Sequence, residues 1–286
     1  MITFHKLGEL GRLGNQLFQY AALKGLAVKN GYDVKIPNPQ SMNWHGQTSL
    51  LDKFNIECEY ATQEDMNTLQ NLYEEPNWTK YDENFFNVPD NTSIEGFFQS
   101  TFYFEHISEQ IKKELTPTDE YLNKAKEVIA GLKSQYAGYE IVSVHVRRGD
   151  NMTNGQTGLI QAFEPGGMYE TYFNEAKKVF DGKKVKFLVF TGGQRFNEDN
   201  SIDVEWCKNF FKGDDFIFSE GNAQIYDFSL IMSCDHNILS HASTFGWWAA
   251  YVNPNPNKIV VAPEYYHPDE PNLKRDKFYP KEYILK

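Results

Sequence analysis

Short apolar runs alternate with segments of helical spacing along the second half of the chain. Four segments have the apolar spacing of helices, near residues 168–180, 201–211, 223–233 and 244–251, and they separate five short apolar runs. The apolar runs themselves predict buried β-strands at residues 141–146, 185–190, 216–219, 237–240 and 259–261. Strands that alternate with helices imply right-handed crossovers and a parallel sheet covered on both faces. The second half is therefore predicted to be a doubly wound α/β domain.

The first half begins with the same order of elements. Residues 2–7 predict a strand, residues 8–14 form a loop with glycine at every third position, and residues 15–30 have the apolar spacing of a helix that Gly31 ends. Residues 32–36 alternate like a second strand. This order predicts a second Rossmann-like domain with its own parallel sheet.

The pattern is weaker in the middle of the chain. Residues 37–50 are rich in Pro, Asn, Ser and Gln and predict a loop, whereas residues 58–91 show no clear period. An extended segment at 92–98 and helices at 102–115 and 119–133 follow. We place the domain boundary among the glycines of residues 131–138, which gives an N-terminal domain of 1–135 and a C-terminal domain of 136–286.

Composition excludes some classes of partner. The 286 residues carry 28 basic and 39 acidic side chains, a net charge of −11, which repels phosphate backbones. A nucleic-acid partner is therefore not expected. Aromatic residues make up 15% of the chain, and exposed aromatic rings are good platforms for the apolar faces of sugars.

The cysteines and the hydropathy pattern bear on location. Cys58, Cys207 and Cys234 are odd in number and widely spaced, which fits neither a disulfide framework nor a zinc site. No segment predicts a transmembrane helix, and the first ten residues lack the apolar core of a signal peptide. We expect a cytoplasmic protein and leave peripheral association with a membrane open.

The most specific chemical motif follows the first strand of the second half. It is His145-Val146-Arg147-Arg148-Gly149-Asp150, at the point where a buried strand gives way to a loop. Ligands of doubly wound sheets bind at the carboxyl ends of the strands, and two arginines there suit a diphosphate whose charge rises when its bond to a sugar breaks. The alternative is an arginine pair held by surface carboxylates.

Two further loops are candidate anion sites. Gly8, Gly11 and Gly14 precede a helix that begins near Asn15, although their spacing is not that of a dinucleotide fingerprint. Near the C-terminus, a strand leads through Ser243 into a helix that begins around residue 244. In both loops a purely structural role, as a tight turn or a helix cap, remains open. Trp247 and Trp248, inside the second helix, are predicted to be core residues.

Motifs that are missing narrow the chemistry. The chain contains no Asp-x-Asp, no Walker loop, no His-Glu-x-x-His and no Gly-x-Ser-x-Gly. We therefore expect neither a carboxylate-held metal ion nor a serine hydrolase, and we predict no metal site and no cofactor.

Taken together, four motifs resemble glycosyltransferase family 11, the α-1,2-fucosyltransferases. In chain order they lie at residues 11–20, 96–100, 145–150 and 243–248, and the segment 226–236 is similar as well. The resemblance implies a GT-B fold with two Rossmann-like domains, a GDP-fucose donor bound by the C-terminal domain, and metal-independent inversion at the anomeric carbon.

The resemblance also implies roles for individual residues. Arg147 and Arg148 would hold the donor diphosphate, and His145 and Asp150 complete the His-x-Arg-Arg-x-Asp pattern. Arg147, His145 and Asp150 are the catalytic candidates, with Asp150 as the base to test. The donor-binding candidates besides Arg148 are Gly14, Asn15, Ser243, Thr244, Phe245 and Asp227, the last for guanine.

The sequence departs from the family pattern at three places. Arg12 stands where the family usually has glycine, and Gly246 stands where it often has serine. After the second strand of the C-terminal domain, Thr191-Gly192-Gly193 replaces an acidic pair that is common in the family. A contact to the donor is therefore expected to be lost or to come from elsewhere in the chain.

The expected function is transfer of L-fucose from GDP-β-L-fucose to the 2-hydroxyl of a galactose-terminated glycan. The expected partners are this nucleotide-sugar donor and a glycan acceptor, and the galactose is implied by the resemblance alone. Two alternatives stay open: a glycosyltransferase of the same fold with another nucleotide-sugar donor, and a non-catalytic carbohydrate-binding protein.

Overall fold

Buried apolar runs form the long strands of the structure, a computed structural model that describes residues 1–44, 46–152, 157–192, 201–265 and 277–286. The strands are β1 (Lys35–Ile36), β2 (Asn43–Trp44), β3 (Gln47–Thr48), β4 (Glu59–Tyr60), β5 (Asn71–Glu74), β6 (Thr92–Glu95), β7 (Glu140–Val146), β8 (Val185–Thr191), β9 (Phe216–Phe218), β10 (His236–Ile238), β11 (Val260–Ala262) and β12 (Ile284–Leu285). The helices are α1 (Leu13–Asn30), α2 (Gln63–Asn67), α3 (Ser108–Glu114), α4 (Asp119–Gln135), α5 (Thr157–Ala162), α6 (Met168–Lys178), α7 (Ser201–Phe210), α8 (Gln224–Ser233) and α9 (Thr244–Tyr251). No helix in these ranges is long and apolar enough to cross a bilayer.

The chain divides into two compact units, each described here by itself. The N-terminal unit contains residues 1–118 and, of the described residues, 277–280. The C-terminal unit contains the other described residues, from Asp119 to 265 and from Lys281 to Lys286. The boundary at 135 predicted from the sequence differs from this division, because α4 packs against α8 and Tyr226 of α8 donates a hydrogen bond to the carbonyl of Lys124 at 3.4 Å.

The C-terminal unit is built on one six-stranded parallel sheet. Its strand order is β12-β11-β10-β7-β8-β9, so the chain first adds strands on one side of β7 and then returns to add the rest on the other. This is the doubly wound arrangement, in which ligands bind at the carboxyl ends of the strands where the order reverses. The reversal lies between β7 and β10, and we call this place the switch point.

The strands of this sheet are buried on both faces. Every residue of β8 and all of β7 except Glu140 are buried, which is why they appear in the sequence as continuous apolar runs. The core on one face joins Val144 and Val146 to aromatic residues of α6 and of the segment after α7, among them Phe173 and Phe211. Trp247 and Trp248 of α9 are fully buried, so the prediction that they are core residues is confirmed.

The N-terminal unit has shorter strands. β1 pairs with β4 and β5 with β6, both in parallel, and single bridges from Ile2 to Val34 and from Thr3 to Ser93 connect these two pairs. The predicted strand at 2–7 is thus limited to Ile2 and Thr3. The predicted helix at 102–115 is interrupted as well: two 3₁₀ turns precede α3, and the backbone of Phe104 leaves the helical region at φ −143°.

Candidate active site

The switch point of the C-terminal unit brings the ends of β7 and β10 together. The backbone N–H of Arg147, directly after β7, donates to the hydroxyl of Ser240, two residues after β10, at 3.0 Å. The backbone of Arg147 is thereby fixed at the sheet edge where a doubly wound fold binds its ligand.

The guanidinium of Arg147 is held by groups from the same edge. Its Nη2 lies 2.5 Å from Oδ1 of Asp150, and its Nη1 donates to the carbonyl of Gly192, after β8, at 3.4 Å. Both side chains keep some exposure, 15% for Arg147 and 22% for Asp150. This is a charged group that a ligand at the edge can reach, with a carboxylate that orients it.

Arg148 is placed differently. Its Nε donates to Oδ1 of Asp203 at 3.0 Å, and Asp203, on α7, is completely buried. The guanidinium carbon lies 4.3 Å from the centre of the Trp206 ring and 5.3 Å from that of Phe163. Phe163 belongs to the core that contains Val144 and Val146, and Trp206 packs against it. The two arginines that the sequence predicts to act together therefore have different partners: Arg148 points into this aromatic core, whereas Arg147 contacts Asp150 and the carbonyl of Gly192.

His145 is buried beside α9. Burial, and secondarily the charge of Arg147, lower the pKa of His145 to about 3, so the ring is neutral. Its Nδ1 has no hydrogen-bond partner among the described residues, and a Cβ added to Gly246 would lie only 2.6 Å from it. The glycine that departs from the family pattern therefore leaves space that the imidazole occupies.

The N-terminus of α9 adjoins the same ring. Ser243 caps the helix by accepting a hydrogen bond from the N–H of Gly246 at 3.4 Å, and Ala242 before it has a left-handed φ of 48°. Thr244 and Phe245 occupy the first turn, half-buried, and Phe245 lies 5.6 Å from His145, centre to centre. The first turn of a helix offers free N–H groups to an anion, so the predicted anion site and the predicted cap coincide.

Asp227 lies in the first turn of α8. It accepts hydrogen bonds from Ser219 at 2.8 Å and from Asn222 at 3.2 Å. Burial raises the pKa of Asp227 to about 6, although these two hydrogen bonds oppose the shift. Burial therefore keeps this carboxyl group protonated to a higher pH than an exposed aspartate.

The glycine loop of the N-terminal unit is rigid because amide side chains hold it. Gly8 and Gly11 have φ of 89° and 87°, a region that favours glycine. Gln16 and Gln19 of α1 donate to the carbonyls of Gly11 and Leu10, at 3.0 and 2.7 Å. The loop therefore enters α1 in one fixed conformation.

Asn15 connects this loop to the segment after β6. Gln99 donates to Oδ1 of Asn15 at 2.8 Å, and Glu75 accepts the N–H groups of Phe97 and Phe98 at 2.7 and 3.1 Å. Gly14 is buried in the first turn of α1. Two of the motifs on which the family resemblance rests thus meet at one edge of the N-terminal unit.

Three contacts were not predicted from the sequence. Arg148 contacts Asp203, 55 positions away, and the backbone of Arg147 contacts Ser240, 93 positions away. Asn15 contacts Gln99, 84 positions away. None of these three contacts is indicated by a local pattern in the sequence.

The comparisons with known proteins decide the family. The family model described as "Glycosyl transferase family 11" matches residues 4–285. The chain belongs to glycosyltransferase family 11. The resemblance inferred from the four motifs is thereby confirmed, and the protein is a glycosyltransferase.

Relatives of this family member differ in the sugar that their names give. An "Alpha-1,2-colitosyltransferase" of Escherichia coli is 28% identical over 88% of this chain and 89% of that protein. A "Galactoside alpha-(1,2)-fucosyltransferase 2" of Pongo pygmaeus is 28% identical over 94% of this chain and 74% of that protein.

A solved structure agrees on the fold of this family 11 glycosyltransferase. The crystal structure of POFUT1 in complex with GDP matches with a TM-score of 0.51 at 13% identity, over 91% of this chain and 97% of that one. The predicted fold class, α/β of the GT-B type, is confirmed.

Proposed function

We propose that this family 11 glycosyltransferase transfers L-fucose from GDP-β-L-fucose to the 2-hydroxyl of a galactose-terminated glycan, with inversion and without a metal ion. The family match over residues 4–285 and the names of the relatives support the reaction class. The observation that carries the proposal is Arg147, a cationic side chain with residual exposure at the switch point of a doubly wound sheet.

In the proposed reaction the acceptor oxygen attacks the anomeric carbon while the bond from that carbon to the diphosphate oxygen breaks. Negative charge then grows on GDP, and the guanidinium of Arg147 stabilises it more in the transition state than in the ground state. Asp150, 2.5 Å from Arg147, orients the guanidinium and is also our candidate acceptor for the proton of the attacking hydroxyl.

Other residues of the C-terminal unit would hold the donor. The first turn of α9, with Thr244 and Phe245, offers N–H groups to the diphosphate. Asp227 would accept from N1 and the exocyclic amine of guanine. For the N-terminal unit, we propose that Gly14 and Asn15 of the glycine loop take part in substrate binding.

A second candidate uses a different sugar on the same nucleotide. The similarity to the E. coli colitosyltransferase, which covers 88% of this chain, favours it. A nucleotide sugar raises the melting temperature according to its affinity, so thermal shifts with GDP-fucose, GDP-mannose and GDP-colitose in parallel rank the donors.

The decisive experiment measures GDP release from GDP-fucose in EDTA, with and without a galactose-terminated disaccharide. We expect release that the disaccharide stimulates, and we expect Arg147→Ala to lower kcat by about 10²- to 10³-fold, as for the loss of one preorganised charge or donor. Lys178→Ala is the matched control, because Lys178 is exposed on α6 and pairs with Glu175 at the surface.

Each result has a definite meaning. Near-normal turnover by Arg147→Ala would overturn the diphosphate role of Arg147. Donor binding without acceptor-stimulated release would show that the galactoside is the wrong acceptor. Glycan binding that ignores GDP and Arg147 would favour the carbohydrate-binding alternative.

A further inference from the structure

Asp203, Arg148 and Trp206 form a contact cluster after the end of β7, which we call the Arg148 brace. The carboxylate of Asp203 is 0% exposed and the side chain of Arg148 is 8% exposed. One face of the Trp206 ring lies under the guanidinium at 4.3 Å, and the ring stacks on Phe210 at 4.8 Å with an interplanar angle of 14°. The guanidinium is thus paired with a carboxylate and stacked on an aromatic ring.

This arrangement keeps Arg148 away from a ligand at the switch point. If its guanidinium turned to a diphosphate, the buried ion pair with Asp203 would break, and breaking a buried ion pair is strongly destabilising. Arg148 also lies on the side of the strand that carries Val144 and Val146, which belong to the hydrophobic core.

The brace is connected to Arg147 through the backbone. The N–H of Arg148 donates to the carbonyl of Val146 at 3.1 Å, and the N–H of Asn151 donates to the carbonyl of Arg148 at 2.8 Å. The side-chain amide of Asn151 donates in turn to the carbonyl of Arg147 at 3.1 Å. Fixing the side chain of Arg148 therefore fixes the tight turn that carries Arg147 and Asp150.

We infer that Arg148 is a positioning residue rather than a donor ligand: Asp203 and Trp206 hold it, and it holds the turn in which Arg147 faces the switch point. This inference rests on the proposed function, since it concerns how Arg147 meets the donor diphosphate. It replaces the direct diphosphate contact expected for Arg148 from the sequence.

The test removes the two charges separately and together. Arg148→Met and Asp203→Leu each break this buried ion pair, so each should lower the Tm by about 10 °C and weaken GDP binding about tenfold. The double variant removes both charges, and we expect it to recover most of the Tm and a Kd for GDP within about threefold of the wild type. Arg147→Met should weaken GDP binding at least 30-fold with an unchanged Tm.

The outcome that overturns the inference is specific. If the double variant recovers its Tm while its Kd for GDP stays raised 30-fold or more, Arg148 contacts the donor directly. Absence of GDP binding by the wild-type chain would instead count against the proposed function.

A second variant covers the case in which the double variant does not fold. Trp206→Leu removes the stack on Arg148 and should lower kcat/KM for GDP-fucose about tenfold. In an Arg147→Met background it should cause no further loss, because it acts through Arg147. An additive loss would overturn the inference. Phe216→Leu, which packs on Phe187 in the same core, is the control and should lower the Tm without changing GDP affinity.

Discussion

The two units differ in what holds the loops that follow their strands. In the N-terminal unit, glycines with left-handed backbone and neutral amides such as Gln16 and Gln99 fix the loop. In the C-terminal unit, the edge presents the ion pair of Arg147 and Asp150. The same topological rule thus produces one edge defined by backbone shape and another defined by charge.

The difference predicts which property a substitution should change in each unit. A loop fixed by shape loses stability when a side chain enters its space, and activity falls as a consequence. Where the site supplies a charge, removing that charge lowers the rate of the reaction and leaves the fold intact. Stability and turnover measured on the same variant therefore distinguish the two kinds of site.

Within the N-terminal unit, the largest effect on stability is expected from Gly11→Ala. A Cβ there would lie 2.3 Å from Nδ2 of Asn15, and φ is 87°. Strain and steric contact together should cost about 2–3 kcal/mol of unfolding free energy, measured by urea denaturation. Gly31→Ala is the matched control, because Gly31 also has a positive φ of 69° but nothing within 4 Å of the added Cβ. Equal losses for both variants would contradict a shape-defined loop.

An intermediate effect concerns pH and the C-terminal unit. Because the pKa of Asp227 is raised to about 6, its carboxylate forms mainly above that pH. If Asp227 accepts hydrogen bonds from guanine, the Kd for GDP should fall about tenfold between pH 5 and pH 7. His145 does not contribute to this change, since its pKa of about 3 keeps it neutral throughout.

Isothermal titration of wild type and Asp227→Asn at both pH values checks this. The variant should bind weakly and keep only the pH dependence that ionisation of the GDP phosphate causes, and an unaltered pH dependence would contradict the guanine contact. The folding stability of the unliganded protein depends on pH in the opposite direction to GDP binding. A carboxyl group whose folded pKa exceeds the ordinary 3.8 stabilises the fold at low pH, and this contribution is lost as the pH rises from about 4 to about 6.

The smallest effect is expected from Ser240→Ala. The variant removes the acceptor for the N–H of Arg147, which costs about 1 kcal/mol, or a three- to tenfold lower kcat/KM for GDP-fucose. Ser134→Ala, on the exposed face of α4, should leave kcat/KM unchanged. No difference between the two variants would mean that the backbone of Arg147 does not need this bond.

Much of the C-terminal unit could be predicted from the sequence. The expected strands at 141–146 and 185–190 correspond to β7 and β8 within one residue, and the expected helix at 244–251 is α9. These elements are buried on both faces, so their apolar pattern is strong. In contrast, β5 is mostly exposed, and nothing in its pattern distinguishes it from a loop.

The candidate site was predicted only in part. The motif at 145–150 located Arg147 at the sheet edge, but adjacent letters in a sequence do not show which face each side chain takes when the strand ends. The separation of Arg147 from Arg148 depends on Asp203, 55 residues away, and on a ring of α7. Contacts of that range arise from tertiary packing, which local patterns do not contain.

The return of the chain to the N-terminal unit also has a consequence for synthesis. The carbonyl of Lys277 accepts hydrogen bonds from the N–H and the hydroxyl of Thr101, at 3.1 and 3.2 Å, and Phe278 stacks on Phe18 at 5.8 Å. On the ribosome, residues 1–118 emerge long before these partners do. Residues 1–118 must therefore wait until residues 119–276 have been translated before Phe278 can pack on Phe18.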